Sequence, residues 1–289
     1  MPGNQVIYHY TAAAGLQGII ESGAIWMTDA RHLNDPGELV HAARIMRELV
    51  AAKIEGILPE VVGPAHEDAA ASRISILRNV LSYFDRIEAG LEYEHSAYVA
   101  AFCEDGNLLS QWRGYGGGVL GYSLGFSRDL LEKSIVLGLT GDEGATEPVS
   151  LIAVDYGTDA VIAQIQAAVD RIATDPSGHP GVQAWSQFGQ IVLPVLAKIK
   201  DPGFKEEKEW RLLLTTDGRP EVVEFRGGST GLVPYVSARW PREALKEIIV
   251  GPGPDLELRA DAVRQLLRSN PDIDESGVAV TTSSIPFRV

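Results

Sequence analysis

A change of period along the chain restricts the fold more than any other feature. Between residues 38 and 95, in "ELVHAARIMRELVAAKIEGIL" and "AAASRISILRNVLSYFDRIEAGL", apolar side chains recur at three and four positions, the spacing of amphipathic helices. Around that stretch the chain is written in short runs rich in β-branched and aromatic residues. "QVIYHYT", "AIWMTD" and "HSAYVAAFC" lie in its first part, and "EKEWRLLLTT", "VVEFRGG", "LVPYVSA", "LKEIIVGPG" and "VAVTTSSI" fill its closing third. Strands at both ends and helices in the middle predict an α+β fold, a sheet core carrying a helical insertion over residues 38–95. No Pro/Ser or Gly/Ser linker separates two self-sufficient patterns, so residues 1–289 are expected to form one elaborated domain.

Smaller signals fill in this frame. "TAAAGLQGIIESG" reads as a helix with Thr11 as its N-cap, Gly23 as its stop and Leu16, Ile19 and Ile20 as its buried stripe. Further helices are expected over "TDAVIAQIQAAVDRIATD", "WSQFGQIVLPVLAKIK" and "LELRADAVRQLLRSN".

Charge and composition exclude several classes. With 39 acidic and 25 basic residues the net charge is -14, which opposes broad contact with nucleic acid or an anionic membrane. The single cysteine, Cys103, cannot form an internal disulfide or build a zinc site and reads as buried. The histidines show no His-x-x-x-His spacing, so zinc hydrolysis is not indicated and no metal is expected; "GYSLG" (121–125) matches Gly-x-Ser-x-Gly, but its serine reads as lying within a strand and not at the strand-to-helix turn of a nucleophile elbow. "MPGNQVIYHY" lacks the basic and apolar regions of a signal peptide, and no window nears the roughly 20 apolar residues of a membrane span. A soluble, cytoplasmic, bacterial-type protein without a membrane partner is expected.

Four polar clusters sit beside aromatic and glycine residues at predicted strand ends, where ligand clefts form. In "YHYT" (8–11), strand alternation turns His9 and Thr11 one way and Tyr8 and Tyr10 the other. "LND" (33–35) places Asn34 in a turn before the helical insertion. "LLSQWRGYGGG" (108–118), followed by "GYSLGF" (121–126), offers Gln111, the Arg113 donor fork, the stacking faces of Trp112 and Tyr115, and glycines that admit a ligand to the backbone. This suits a nucleotide, although the spacing is neither that of a phosphate-binding P-loop nor that of a dinucleotide fingerprint.

In "FKEEKEWR" (204–211), alternation places Glu207, Glu209 and Arg211 on one strand face, and Glu206, Lys208 and Trp210 on the other. Paired carboxylates repel unless a cation or a shared proton intervenes, an arrangement that can raise one pKa. Were the segment helical, the same run would be a solvated charged face.

In this order, "YHYT", "LND", "SQWRGYG", "GYSLGF" and "FKEEKEWR" resemble a bacterial family known only as domain of unknown function 2971, across roughly residues 6–252. That family is similar to the His-Tyr-Glu branch of the ADP-ribosyltransferase superfamily, which includes bacterial toxins. The resemblance implies a split two-sheet core that grips NAD as co-substrate, with helices inserted between its strands. Carried over, His9 would bond the nicotinamide ribose, Tyr122 would stack on nicotinamide, and Glu209 would be the catalytic carboxylate, with Glu207 the other candidate and Tyr115 competing with Tyr122. Thr11, Asn34, Gln111, Trp112, Arg113 and Arg211 complete the expected NAD contacts, Arg113 and the backbone of residues 114–118 being inferred for the pyrophosphate. The acceptor (protein, nucleic acid or small molecule) and any antitoxin are left open. So are two other readings, a nucleotide-binding module without turnover and a hydrolase or nuclease using Glu207 and Glu209 with Mg²⁺.

Overall fold

The computed structural model describes residues 5–33, 37–57, 67–88, 95–115, 120–137, 149–156, 163–164, 166–167, 170, 194–217, 223–228 and 231–286. The sheet is organised around the nine-residue strand His95–Cys103 (β3), whose apolar content suits burial on both faces. Glu209–Asp217 (β7) pairs with it from His95↔Asp217 to Cys103↔Glu209 and fills one of its edges completely. The other edge is shared. Val6–Thr11 (β1) meets it at Tyr8↔Cys103, and Ala24–Asp29 (β2) at Thr28↔Val99 and Asp29↔Tyr98. Between these two points Ala100 to Phe102 have no strand partner on that edge, and the sheet forks.

One arm continues from β1 to Tyr122–Ser127 (β4), Leu245–Val250 (β10) and, in parallel, Ala279–Thr282 (β11). The other passes from β2 to Gly231–Arg239 (β9), which carries Glu224–Gly228 (β8) and Val136–Leu137 (β5). Ser150–Ala153 (β6) flanks β7. All belong to one hydrogen-bonded network of eleven strands, so the two sheets expected from the motifs are two arms of a forked one.

Helix Ala13–Ser22 (α1) joins β1 to β2 across the fork. Gly23 ends it as expected, at φ 67° with its N–H on the Ile19 carbonyl, a backbone region that glycine enters at little cost. The expected cap is corrected: Thr11 is the last residue of β1, and Ala12 stands at the N-cap without a side-chain bond. The Thr11 hydroxyl instead lies against the first turn at Gly15, where an added Cβ would be 2.0 Å from it.

The helical middle is present as Gly37–Ile57 (α2) and Glu67–Glu88 (α3), between β2 and β3. Their stripes, Met46, Val50 and Ile54 with Ile74, Leu77 and Phe84, cluster with Val99 of β3 and Leu213 of β7 on one face of the sheet and with Leu196 and Ile199 from the segment before β7. The opposite face carries Phe102, Leu212 and Leu214, and packs with Leu16, Ile19 and Ile20 of α1, Phe126, Trp240 and Leu267. Leu267 belongs to Leu256–Arg268, which follows the helices Leu109–Tyr115 (α4) and Arg128–Ser134 (α5) and is α6. A smaller cluster of Tyr10, Cys103, Trp112 and Ile249 lies under α4. The helices expected over residues 158–193 fall almost wholly outside the described residues. Among the described residues no helix is long and apolar enough to cross a membrane.

Candidate functional site at the sheet fork

His9 lies at the fork. Tyr8 faces Cys103 directly, so alternation turns His9 and Thr11 to the other side of the sheet, opposite Leu124 and Tyr122 of β4. Ala101 sits on the stretch of β3 left without a strand on that edge, and its carbonyl accepts a 2.9 Å hydrogen bond from His9 Nδ1. A main-chain oxygen near an unpaired edge is costly to leave bare, and the imidazole supplies its donor. The bond fixes the tautomer: Nδ1 carries the proton, and Nε2 keeps its lone pair for another partner. Burial lowers the imidazole pKa below its ordinary 6.5; the Ala101 bond opposes this and the charge of Arg226 adds to it. His9 is therefore neutral at pH 7, with Phe102 tilted against it at 5.6 Å.

The acidic motif folds differently from its expected strand. Asp201 accepts from the Gly203 N–H, Pro202 opens the first turn, and Pro202–Glu207 forms a 3-10 helix that ends at Lys208, φ 42°. Glu207 thus belongs to that helix, and β7 begins at Glu209. The two carboxylates still converge, because Lys200 Nζ donates to Glu207 Oε2 and to Glu209 Oε2, each at 2.7 Å. Arg211 Nε donates to Glu209 Oε1 at 2.6 Å, and its Nη1 to the Ala197 carbonyl at 2.9 Å. Lys200, Glu207, Glu209 and Arg211 are all buried.

Glu209 does not show the anticipated rise of a carboxylate pKa. Burial pushes Glu209 upward, but Arg211 and then Lys200 outweigh it and hold the carboxyl below its ordinary value. The Glu209 N–H donates to the Tyr156 hydroxyl at 2.8 Å, and Cys103 Sγ donates to the Glu207 carbonyl, with burial pushing the thiol up to about 12. Register places Glu209 on the face of Cys103 and Tyr8, and so opposite His9. His9, Thr11 and Tyr122 form one group; Glu207, Glu209 and Arg211 form another.

The remaining residues divide between core and surface. Tyr122 is buried, with the Arg259 guanidinium 5.2 Å above its ring; Arg259 donates to the Gly251 and Gly121 carbonyls. Gln111 and Trp112 are buried in α4, while Arg113 and Tyr115 are exposed. Trp112 is not the free stacking face that its motif suggests. Tyr10 meets it edge-on at 4.7 Å, Asn107 accepts from its Nε1, and Gly251 lies so close that an added Cβ would be 2.8 Å from the ring. Asn34 and residues 116–118 lie outside the described residues.

Two groups escaped the sequence reading. Lys200 reaches the carboxylates because Ile199 bridges to Asp155 in parallel, a long-range pairing with no local signature. Arg226 on β8 donates from Nη2 to Thr28 Oγ1 at 3.0 Å, beside the fork. Among the described residues no three His, Cys, Asp or Glu side chains gather as metal ligands.

Comparison with known proteins bears on the middle of this arrangement. The family resembled by the motifs is the one whose model matches, described as a protein of unknown function (DUF2971), over residues 111–212. That span runs from α4 through the start of β7 and holds Tyr122 and Glu209, but neither His9 nor Arg226. No curated protein matches the chain. Among solved structures, the chain is similar to a Thermus sp. 2.9 DarT in complex with ADP-ribosylated ssDNA, at 13% identity over 96% of this chain and 95% of that one, with a TM-score of 0.36.

Proposed function

We propose that the chain is an ADP-ribosyltransferase that consumes NAD, acting as a toxin or anti-phage effector. The observation that carries this reading is the half-buried His9 at the fork, held in one tautomer by Ala101 with Nε2 free to accept from a ribose hydroxyl. The order of the sequence motifs supports it. In this reading Tyr122 contacts nicotinamide and Glu209, with Glu207 beside it, supplies the carboxylate. As nicotinamide leaves, positive charge grows on the ribose carbon, and a group that stays ionised at neutral pH stabilises that charge in the transition state. The lowered pKa of Glu209 suits that task. The net charge of -14 weighs against a long nucleic acid as acceptor.

One observation favours a second reading, a nucleotide-binding module without turnover: both oxygens of Glu209 are already engaged by Arg211 and Lys200, on the face opposite His9. The Mg²⁺ reading is weakened by the same pair, since the Lys200 ammonium stands between the two carboxylates.

Nicotinamide release from NAD, measured with cell lysate as the source of acceptor, tests the proposal on wild type, His9→Ala and Glu209→Gln, each checked for an unchanged circular dichroism spectrum. Release by the wild type alone, and insensitive to EDTA, is the expected result. Full release by a folded Glu209→Gln removes that residue from the chemistry. NAD binding without release by the wild type establishes the second reading.

A further inference from the structure

We propose that Arg226 and Thr28 form a phosphate-binding position at the mouth of the fork. Its assignment to the diphosphate of a nucleotide rests on the functional reading above. Residues facing each other in antiparallel pairs share a side, and Tyr235 faces both Thr28 on β2 and Glu224 on β8. Arg226, facing Val233, therefore lies on the same side as Thr28 and Tyr235. Its Nη2 donates to the Thr28 hydroxyl, and its Nε is buried with no hydrogen-bond partner.

A buried Nε without a partner is shared with Arg73, Arg128 and Arg259, so it is the partners of the rest of the guanidinium that set Arg226 apart from other arginines. Arg211 meets Glu209, Arg31 meets Asp29, and Arg259 meets two main-chain carbonyls. Among the described residues no carboxylate pairs with Arg226, although the chain carries 39 acidic side chains. Glu224, two residues away on the same side, is engaged by the Ser237 hydroxyl at 2.6 Å and the Tyr235 hydroxyl at 3.1 Å. A partly desolvated guanidinium with an unanswered N–H carries a penalty that a bound anion removes.

Phosphate fits this position well. The planar fork presents parallel N–H groups that match two phosphate oxygens. Thr28 Oγ1 accepts from Arg226, which leaves its own proton to donate to the same anion. Thr28 is buried, so the pair is anchored in the sheet. The charge of Arg226 reaches His9, while the pairing Thr28↔Val99 puts Thr28 and Arg226 on the face of Glu209, so a ligand held by Arg226 meets His9 only across the gap between β1 and β2. The position takes over the role that the sequence suggested for Arg113 and its glycine loop.

Calorimetry with inorganic pyrophosphate, ADP and adenosine tests this on wild type, Arg226→Gln and Arg226→Lys. Loss of a charged hydrogen-bond partner predicts pyrophosphate and ADP binding weaker by about tenfold or more in Arg226→Gln. An intermediate loss is expected in Arg226→Lys, which keeps the charge without the fork, and adenosine binding should not change. Equal pyrophosphate binding by wild type and Arg226→Gln overturns the proposal, as does its absence in both. In the wild type, where folding is not at issue, pyrophosphate should shift the His9 imidazole resonances and raise their titration midpoint; no shift also overturns it. NAD cleavage by Arg226→Gln with an unchanged KM refutes the phosphate position and leaves the transferase reading standing. Pyrophosphate binding that depends on Arg226, in a protein that neither binds nor cleaves NAD, upholds the position and refutes that reading.

Discussion

At the start of β7, Lys200, Glu207, Glu209 and Arg211 answer one another's charges, whereas at the fork His9 and Arg226 each keep one polar atom without a partner. Both regions touch β3, but the first is buried, whereas His9 and Arg226 are only half-buried. They differ in what a ligand would find. At the first it must break short ion pairs before it reaches a carboxylate; at the second it meets a lone pair and a guanidinium already aimed. Burial of charge alone does not mark a site, since a closed network has no valence to offer. Unanswered polar atoms beside an open strand edge are the better indicator.

The sharpest way to break this comparison is to remove Lys200. Lys200→Met leaves Glu207 and Glu209 buried without the ammonium that bridges them, and breaking a buried pair by deleting one partner costs about 3–5 kcal/mol. A urea melt should show that loss as a lower midpoint. A loss under about 1 kcal/mol, the usual worth of an exposed ion pair, would show that water already screens the cluster and that Glu209 is more accessible than its contacts imply. His9→Ala should cost less, about 1–3 kcal/mol for a carbonyl stripped of its donor, yet abolish nicotinamide release. A variant as unstable as Lys200→Met would mean that the imidazole is as structural as the ion cluster.

The two regions also separate by pH. The His9 imidazole is held below 6.5 in the fold, so from 6.5 down to its folded value the unfolded chain binds more protons and stability falls as pH falls. Glu209 is likewise lowered from 4.5, and its contribution is present above that value and lost as pH drops through the folded pKa. Acid unfolding should therefore begin with a slope of at most about 1.4 kcal/mol per pH unit from His9 and steepen below 4.5. His9→Ala should flatten the first part and leave the second. A stability profile unchanged between pH 6.5 and 4.5 by that substitution would show that His9 titrates freely.

The α+β class, the inserted helices, the stop at Gly23 and the opposed faces of "YHYT" were all legible, because periodicity and backbone preference are local properties. The shape of "FKEEKEWR" was not, since Pro202 and the left-handed Lys208 turn the chain just before the alternation begins. Nor was the convergence of its carboxylates, which depends on Lys200 brought in by the bridge between Asp155 and Ile199. Arg226 and Thr28 lie 198 residues apart and meet only through the pairing of β2 and β8 with β9. Alternation could assign each a face; only topology could assign them to each other.

Thr28→Val carries the smallest expected effect and the most pointed one. Valine keeps the β-branched shape that a central strand position favours, so the sheet should hold, with a loss of about 0.5–1.5 kcal/mol for one hydrogen bond. What changes is the aim of Arg226, which loses the acceptor that anchors its Nη2. Binding of pyrophosphate should weaken by a few fold, less than in Arg226→Gln, because the charge remains and only its orientation relaxes. Thr28→Ser, which restores the oxygen, should recover it. If valine and serine bind alike, the hydroxyl does not position the guanidinium, and Arg226 acts as a diffuse charge near His9 rather than as an aimed fork.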